Sequence, residues 1–241
     1  MKSITSALRI VSPHREDCQW LFRLHRFQLK LILVLACSGA VFAMQAKQKE
    51  SEWLSLFNGR DLDGWQQVGP GSFEVVDHML KTQGGMGMLW YTREKFANFV
   101  IRVVFKLTGK EADSGVFIRI PEKPTEVWMP INKGYEIEIG DWPSDYSCTG
   151  VVYSFSKAMA RPIKPMGEWN TMEITIEGPR TIVFLNGIKV TDYREGQPVP
   201  PRNSHGGEPA AGPRQDSGYI GLQNHPGPPV YFREVSVRSL K

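Results

Sequence analysis

From residue 72 to residue 240 the chain is written largely in short alternating runs, most of them bounded by glycine, proline or an Asn-Gly pair. That punctuation makes strands the only regular structure the sequence repeats. In "FANFVIRVVFKLTG" (96–109), Val100, Arg102, Val104 and Lys106 alternate against Ile101, Val103, Phe105 and Leu107. "SFEVVDHMLKT" (72–82) reads as two extended pieces turning at Asp77-His78, and "SGVFIRIP" (114–121) as a strand ended by proline. "GYEIEIGD" (134–141) and "GVVYSF" (150–155) follow. "EWNTMEITIEG" (168–178) and "RTIVFLNG" (180–187) make a hairpin at Gly178-Pro179, and Asn186-Gly187 turns the chain again into "IKVTDY" (188–193). "GYIGLQNH" (218–225) and "VYFREVSVRSL" (230–240) close it. About ten strands without a long helix predict an all-β fold, a two-sheet antiparallel jelly-roll sandwich. The Pro- and Gly-rich segment 194–217 is a loop long enough to be functional. The sequence shows no internal repeat and no second domain.

The N-terminus is of another kind. Lys2, Arg9, Arg15, Arg23, Arg26 and Lys30 precede the short apolar block "LILVLACSGAVFA" (31–43). A basic start, a short apolar centre and Val41-Phe42-Ala43 predict an export signal over 1–43, cleaved after Ala43. A linker (44–52) and one domain (53–241) follow. The expected location is periplasmic or extracellular. "VLAC" (34–37) also resembles a lipoprotein signal, which would place a lipid anchor at Cys37 and hold the protein at the envelope. A buried core helix is the third reading of the block, and nothing amphipathic accompanies it. No run of 18 or more apolar residues predicts a transmembrane span.

The signal also decides the charge argument. Of 29 basic and 25 acidic side chains, six and two fall in 1–43, which leaves 23 of each sign. A neutral mature chain gives no reason to expect nucleic acid as a partner. Cys148 alone remains beyond the signal, so no internal disulfide is expected and the thiol reads as inert and partly buried. Oligomeric state is open.

No phosphate-cradling glycine loop, HExxH, G-x-S-x-G or cysteine cluster occurs, so a site must be assembled from separate strands. Strand parity puts Tyr135, Ile137 and Ile139 on one face and Glu136 and Glu138 on the other. It puts Asp113, Gly115, Phe117 and Arg119 on one face of their strand, and Gly221, Gln223 and His225 on one face of theirs. If these strands are neighbours, a guanidinium, two carboxylates and an imidazole meet. Arg119 would steady an oxyanion, and Glu136 or His225 would move protons. Glu136, Glu138, Asp141 and His225 offer donors for one divalent metal, Ca²⁺ or Mg²⁺ by their oxygens and Zn²⁺ by the imidazole. A solvated outer sheet laced with ion pairs is the competing reading. Gly115 and Gly221 clear space on the polar face, and Tyr135, Trp142, Tyr146, Tyr153 and Trp169 surround it. Rings beside carboxylates suit a sugar, although Tyr135 and Trp169 read better as core. Lys164, in "RPIKPMGEWN", reads as part of a loop over the cleft. His78 reads as a surface turn residue and His205 as a loop residue.

"SLFNGRDLDGW" (55–65), "FANFVIRVVFKL", "SGVFIRIP", "GYEIEIGD", "KPMGEWN" (164–170), "VFLNG" (183–187), "GYIGLQNH" and "VYFREVSVRSL" occur in order. Together they resemble the 3-keto-disaccharide hydrolase domain family, over about residues 53–240. The resemblance implies a concanavalin A-like jelly roll of the lectin/glucanase type, and action on a carbohydrate whose sugar carries a ketone at C3. It implies Glu136 and His225 as the acid/base or metal-ligand pair, Arg119 as a clamp on the enolate or a hydroxyl, and Gln223 as a sugar contact. Glu138, Lys164, Trp142 and Asp113 complete the expected substrate-binding set. The family often carries glutamine at 138 and asparagine at 113, where this chain has Glu138 and Asp113. A non-catalytic, lectin-like carbohydrate-binding module is the alternative from another class. A purely structural envelope protein is a third reading, and it leaves the polar face without a use.

Overall fold

The computed structural model describes residues 52–198 and 213–240. The expected export signal, the Cys37 anchor site and His205 lie outside the described residues. In chain order the strands are β1 (Leu54–Ser55), β2 (Trp65–Val68), β3 (Ser72–Val76), β4 (Met79–Gln83), β5 (Gly87–Tyr91), β6 (Phe99–Leu107) and β7 (Asp113–Ile120). A short helix, α1 (Met129–Lys133), precedes β8 (Tyr135–Gly140), β9 (Asn170–Glu177), β10 (Arg180–Leu185), β11 (Ile188–Arg194), β12 (Tyr219–Asn224) and β13 (Val230–Ser239). One sheet has the order β11-β10-β9-β6-β13-β4-β3, with β1 beside β13; the other has the order β2-β5-β12-β7-β8. Every strand pair is antiparallel.

The alternation explains the sandwich. In β6, Phe99, Ile101, Val103 and Phe105 point inward, and in β9 Met172, Ile174 and Ile176 do the same. Val116 and Ile118 of β7, Tyr135, Ile137 and Ile139 of β8, and Ile220 and Leu222 of β12 meet them from the second sheet. Each such side chain contributes about 1.5–3 kcal/mol on leaving water, which binds the two sheets face to face.

The turns follow their residues. Asp77 and His78 take φ of 49° and 63°, and Asn186 and Gly187 take 51° and 81°. Two successive left-handed residues are what a tight hairpin with matching twist requires. They join β3 to β4 and β10 to β11. His78 is exposed, as expected.

Two expectations change. Residues 150–155 do not form a strand. They are turns, with Ser154 at φ 63° and one bridge from Val152 to Ile137. The segment still hydrogen-bonds along β8: the Gly150 N–H donates to Glu138 O, the Glu138 N–H to Val151 O and the Tyr153 N–H to Glu136 O. An irregular segment thus covers what would be a bare sheet edge. β2 and β5 were not legible as strands. β5, "GMLWY", is buried on both faces and so carries no alternation.

A candidate acid–imidazole site on the outer face of the five-stranded sheet

The core-facing side of β7, β8 and β12 fixes what lies on the other side. With Ile137 and Ile139 in the core, Glu136 and Glu138 must face outward, and with Ile220 and Leu222 in the core so must Gln223. The register places Asp113 opposite Gly140, Gly115 opposite Glu138, and Phe117 opposite Glu136. Gly221 stands opposite Phe117 on the other side of β7. Asp113, Glu136, Glu138, Gln223 and the His225 that follows β12 are therefore brought to one side of one sheet.

Two glycines make the close packing possible. A Cβ at Gly115 would overlap the Glu136 carboxyl, and one at Gly140 would stand 2.5 Å from the Trp142 indole nitrogen. Each missing side chain leaves the room that Glu136 or Trp142 occupies, and any larger residue at 115 would push the Glu136 carboxyl off its place. The His225 Nδ1 lies 3.5 Å from an Asp113 carboxylate oxygen and 3.1 Å from Pro226 O. The Trp142 indole and the Glu138 carboxyl lie in the immediate electrostatic neighbourhood of Asp113 and draw its carboxyl down against its burial.

Although on the outer face, the carboxyls are shielded. Glu136 and Glu138 are 5% and 4% exposed. Burial, and then the charge of Asp113, pushes the Glu136 carboxyl well above the usual carboxylate range. Burial also raises Glu138, followed by the charges of Asp113 and Glu136 and its polar contact with Asp113. Burial raises Asp113 as well, against the pull of His225, Glu138, Trp142 and the Ser114 N–H. Asp113 and Glu138 are therefore both held above the ordinary carboxylate range and share a proton, since two adjacent carboxyls in a dry place do not both ionise. One Glu136 oxygen, Oε1, is buried with no hydrogen-bond partner. Burial also raises Tyr153, and Glu138, Glu136 and Asp113 then act on it in that order, so its phenol belongs to the same neighbourhood.

These shifts have a consequence for stability. The folded state keeps protons on Glu136 and Glu138 that the unfolded chain releases near the ordinary value of 4.5. Above that pH the unfolded chain binds fewer protons than the folded one, so this contribution falls as pH rises toward the raised folded values. Glu138→Gln keeps a donor toward Asp113 and removes the ionisable group. It is expected to raise Tm by about 3 °C at pH 8 and by less at pH 4.5, in thermal unfolding followed by circular dichroism. An equal or lower Tm at pH 8 would contradict the shared proton.

Three expected site residues sit elsewhere. Arg119 does not face Glu136. A β-bulge opposite Ile220 inserts one residue, Arg119 takes φ 56°, and the parity of the strand resets there. Its guanidinium donates to Gly178 O and pairs with Glu195 at 3.3 Å, where the Tyr135 hydroxyl also donates at 2.7 Å. Arg119 is thus part of a buried tie between the sheets, and the clamp expected of it is withdrawn. Lys164 does not reach over the carboxyls: its ammonium donates to Trp169 O at 3.0 Å. Asp141 is exposed and lies in the charge environment of Cys148 and Arg161. Cys148 is buried.

Asp141's absence from the cluster also bears on the metal. Among the described residues no three His, Cys, Asp or Glu side chains are arranged to hold an ion. The set Glu136, Glu138, Asp141 and His225 does not fit a divalent cation in this arrangement. Tyr153 and the glycine at 140 are additions: the first was only one aromatic among several in the sequence, and the second gave no signal there.

The model of a 3-keto-alpha-glucoside-1,2-lyase-like domain matches residues 52–238. No curated protein matches the chain. A crystal structure of a candidate glycosyl hydrolase from Parabacteroides distasonis ATCC 8503 is similar at 26% identity and a TM-score of 0.65, covering 78% of this chain and 100% of that one. A Bacillus subtilis protein with a galectin-like fold is similar at 14% identity and a TM-score of 0.54, covering 79% and 97%. The VIP36 exoplasmic/lumenal domain, bound to Ca²⁺ and Man3GlcNAc, is similar at 13% and 0.50, covering 78% and 88%. The last two likenesses show the fold alone, a lectin-type sandwich.

Proposed function

The chain belongs to the 3-keto-alpha-glucoside-1,2-lyase-like domain family, and on that premise we propose that it cleaves glycosides whose sugar carries a ketone at C3. A carbohydrate-related function is the coarser statement on which the family and the hydrolase-like neighbour agree. The chemistry follows from the ketone. It acidifies the hydrogen on C2. A base removes that hydrogen, the C–H electrons form the enolate, and the C1–O bond then breaks, leaving a C1=C2 double bond conjugated with the C3 ketone. Water adding across C1=C2 gives net hydrolysis.

Glu136 is the base in this reading. It is the carboxyl with a buried, unpartnered oxygen, and its raised proton affinity suits removal of a carbon-bound hydrogen. That oxygen is the observation that carries the proposal, because a desolvated acceptor without a partner costs stability unless a ligand uses it. His225, oriented by Asp113, gives a proton to the departing oxygen. Glu138 shares its proton with Asp113, as a carboxylic acid held neutral by its surroundings can. Gln223 contacts sugar hydroxyls. No step needs a metal ion.

Lectin-like neighbours fit a carbohydrate-binding module as well, but that reading leaves the unpartnered Glu136 without a use. Incubation with a 3-keto-disaccharide and with its unoxidised parent decides between them. Release of a monosaccharide from the first alone supports the enzyme. Saturable binding of both without release supports the module. We also propose that the protein acts outside the cytoplasm, on the strength of the basic-apolar N-terminus; detection of a mature chain beginning after Ala43 tests it. Among the described residues no helix is long and apolar enough to cross a membrane.

A further inference from the structure

The cleavage described above makes one demand that its base and acid do not meet. When the C2 hydrogen leaves, negative charge gathers on the C3 oxygen, and in a shielded site that oxygen needs a hydrogen-bond donor. Arg119 is committed to Gly178 O and Glu195, away from the carboxyls.

Tyr153 has the right placement. The segment that covers the edge of β8 bridges Val152 to Ile137, and the Tyr153 N–H donates to Glu136 O at 2.9 Å. Tyr153 therefore stands beside Glu136, about one strand spacing away. Val152 and Ile137 belong to the core, whereas Tyr153 is half-buried outside it. The His225–Asp113 pair lies on the other flank of Glu136, with Asp113 in β7 and His225 following β12. In a sugar, C2 lies between C1 and C3. A C2 hydrogen that points at Glu136 thus leaves C1 toward His225 and C3 toward Tyr153.

Tyr153 is also held in place. The Val152 N–H before it donates to Ser156 Oγ at 2.8 Å, and the Ser154 N–H after it donates to Tyr146 O at 3.1 Å. Ser154 takes φ 63°. A left-handed serine is a costly conformation that persists only where its surroundings impose it, and such residues cluster at working sites. The phenol keeps its proton, since it is partly buried and Glu138, Glu136 and Asp113 oppose a further negative charge beside them.

We propose that Tyr153 is a catalytic residue, the hydrogen-bond donor that holds the C3 oxygen while the enolate forms. Glu136 takes the proton from C2, the C–H pair becomes C2=C3, and the π pair of the ketone moves onto the C3 oxygen. That pair then returns to form C3=O, C2=C3 becomes C1=C2, and the C1–O pair departs with its oxygen, which takes the proton of His225. The Tyr153 hydroxyl donates throughout and transfers nothing. The assignment rests on the carbohydrate-cleaving reading of the same site.

Steady-state kinetics on a 3-keto-disaccharide test it. Tyr153→Phe keeps the ring and removes only the hydroxyl. It is expected to lower kcat by about 10²- to 10³-fold, the usual worth of one oxyanion donor, and to leave KM within about threefold, because the bond strengthens only as charge develops. The rise of activity with pH that belongs to Glu136 should keep its midpoint, since the lost hydroxyl is neutral. A kcat loss under about fivefold, or a raised KM with kcat unchanged, overturns the assignment. Lost activity with a displaced midpoint also overturns it, because the ring would then only position Glu136. If the phenylalanine variant does not fold, trifluorotyrosine at position 153 decides alone. Its hydroxyl is acidic enough to ionise within the assayable range, and a phenolate cannot donate. Activity should then fall at alkaline pH where that of the parent holds, and a profile that superimposes on the parent's overturns the proposal. No turnover by the parent protein overturns the cleavage reading and this assignment with it. A slow Glu136→Gln beside a fast Tyr153→Phe overturns the assignment alone.

Discussion

Glu136→Gln is expected to lower kcat/KM on a 3-keto-glucoside by about 10²- to 10⁴-fold, the usual worth of a positioned proton-transfer group. The substitution keeps the shape of the side chain over Gly115 and removes its ability to take a proton. Glutamine also has no charge to be raised by Asp113, so the folded protein should be at least as stable as the parent at neutral pH. The pairing of a large kinetic loss with an undiminished Tm separates a catalytic role from a structural one. A loss under about fivefold would remove Glu136 from the reaction. In the parent, activity should climb with pH through a value above the ordinary carboxylate range, and this limb should vanish in the variant.

The second large effect is on folding. Arg119→Met is expected to cost about 3–5 kcal/mol, the range for breaking a buried ion pair by removing one partner. The Arg119 side chain is 1% exposed and Glu195 11%, so solvent screens them little. Removing the guanidinium strands the Glu195 carboxylate, which the Tyr135 hydroxyl and the Arg214 N–H also use, and the Gly178 carbonyl. Glu195 follows the end of β11 in one sheet and Arg119 lies in β7 of the other, so the tie spans the sandwich. Urea unfolding measures the cost. Where the variant remains folded, its kcat should be near that of the parent, since the residue does not face Glu136. A stable variant with lost activity would restore the clamp that strand parity suggested.

The contrast between Glu136 and Arg119 shows how far the sequence could be read. Parity works from a single reference, and in β8 that reference held: Tyr135, Ile137 and Ile139 are core, and the two glutamates face away from it. It held for Gln223, and for β7 as far as Phe117. It failed two residues later because one inserted residue reverses every side chain beyond it. Nothing in "SGVFIRIP" marks the insertion, since Ile118 and Ile120 fit a plain strand as well as a bulged one. The structural mark is Gly218, where a Cβ would run into the Arg119 backbone, and that contact links residues 99 positions apart in number. Segment 150–155 misled for another reason. Its residues are good strand formers, but they serve an edge as successive turns.

The most direct measurement is the fate of the C2 hydrogen of a 3-keto-glucoside in D₂O, followed by proton NMR. The proposed chemistry predicts that this signal disappears with the unsubstituted protein, together with release of the C1 substituent, and that it persists with Glu136→Gln. Retention of the C2 hydrogen in an intact glycoside that nevertheless binds saturably would contradict it, and would leave a sugar-binding sandwich in its place.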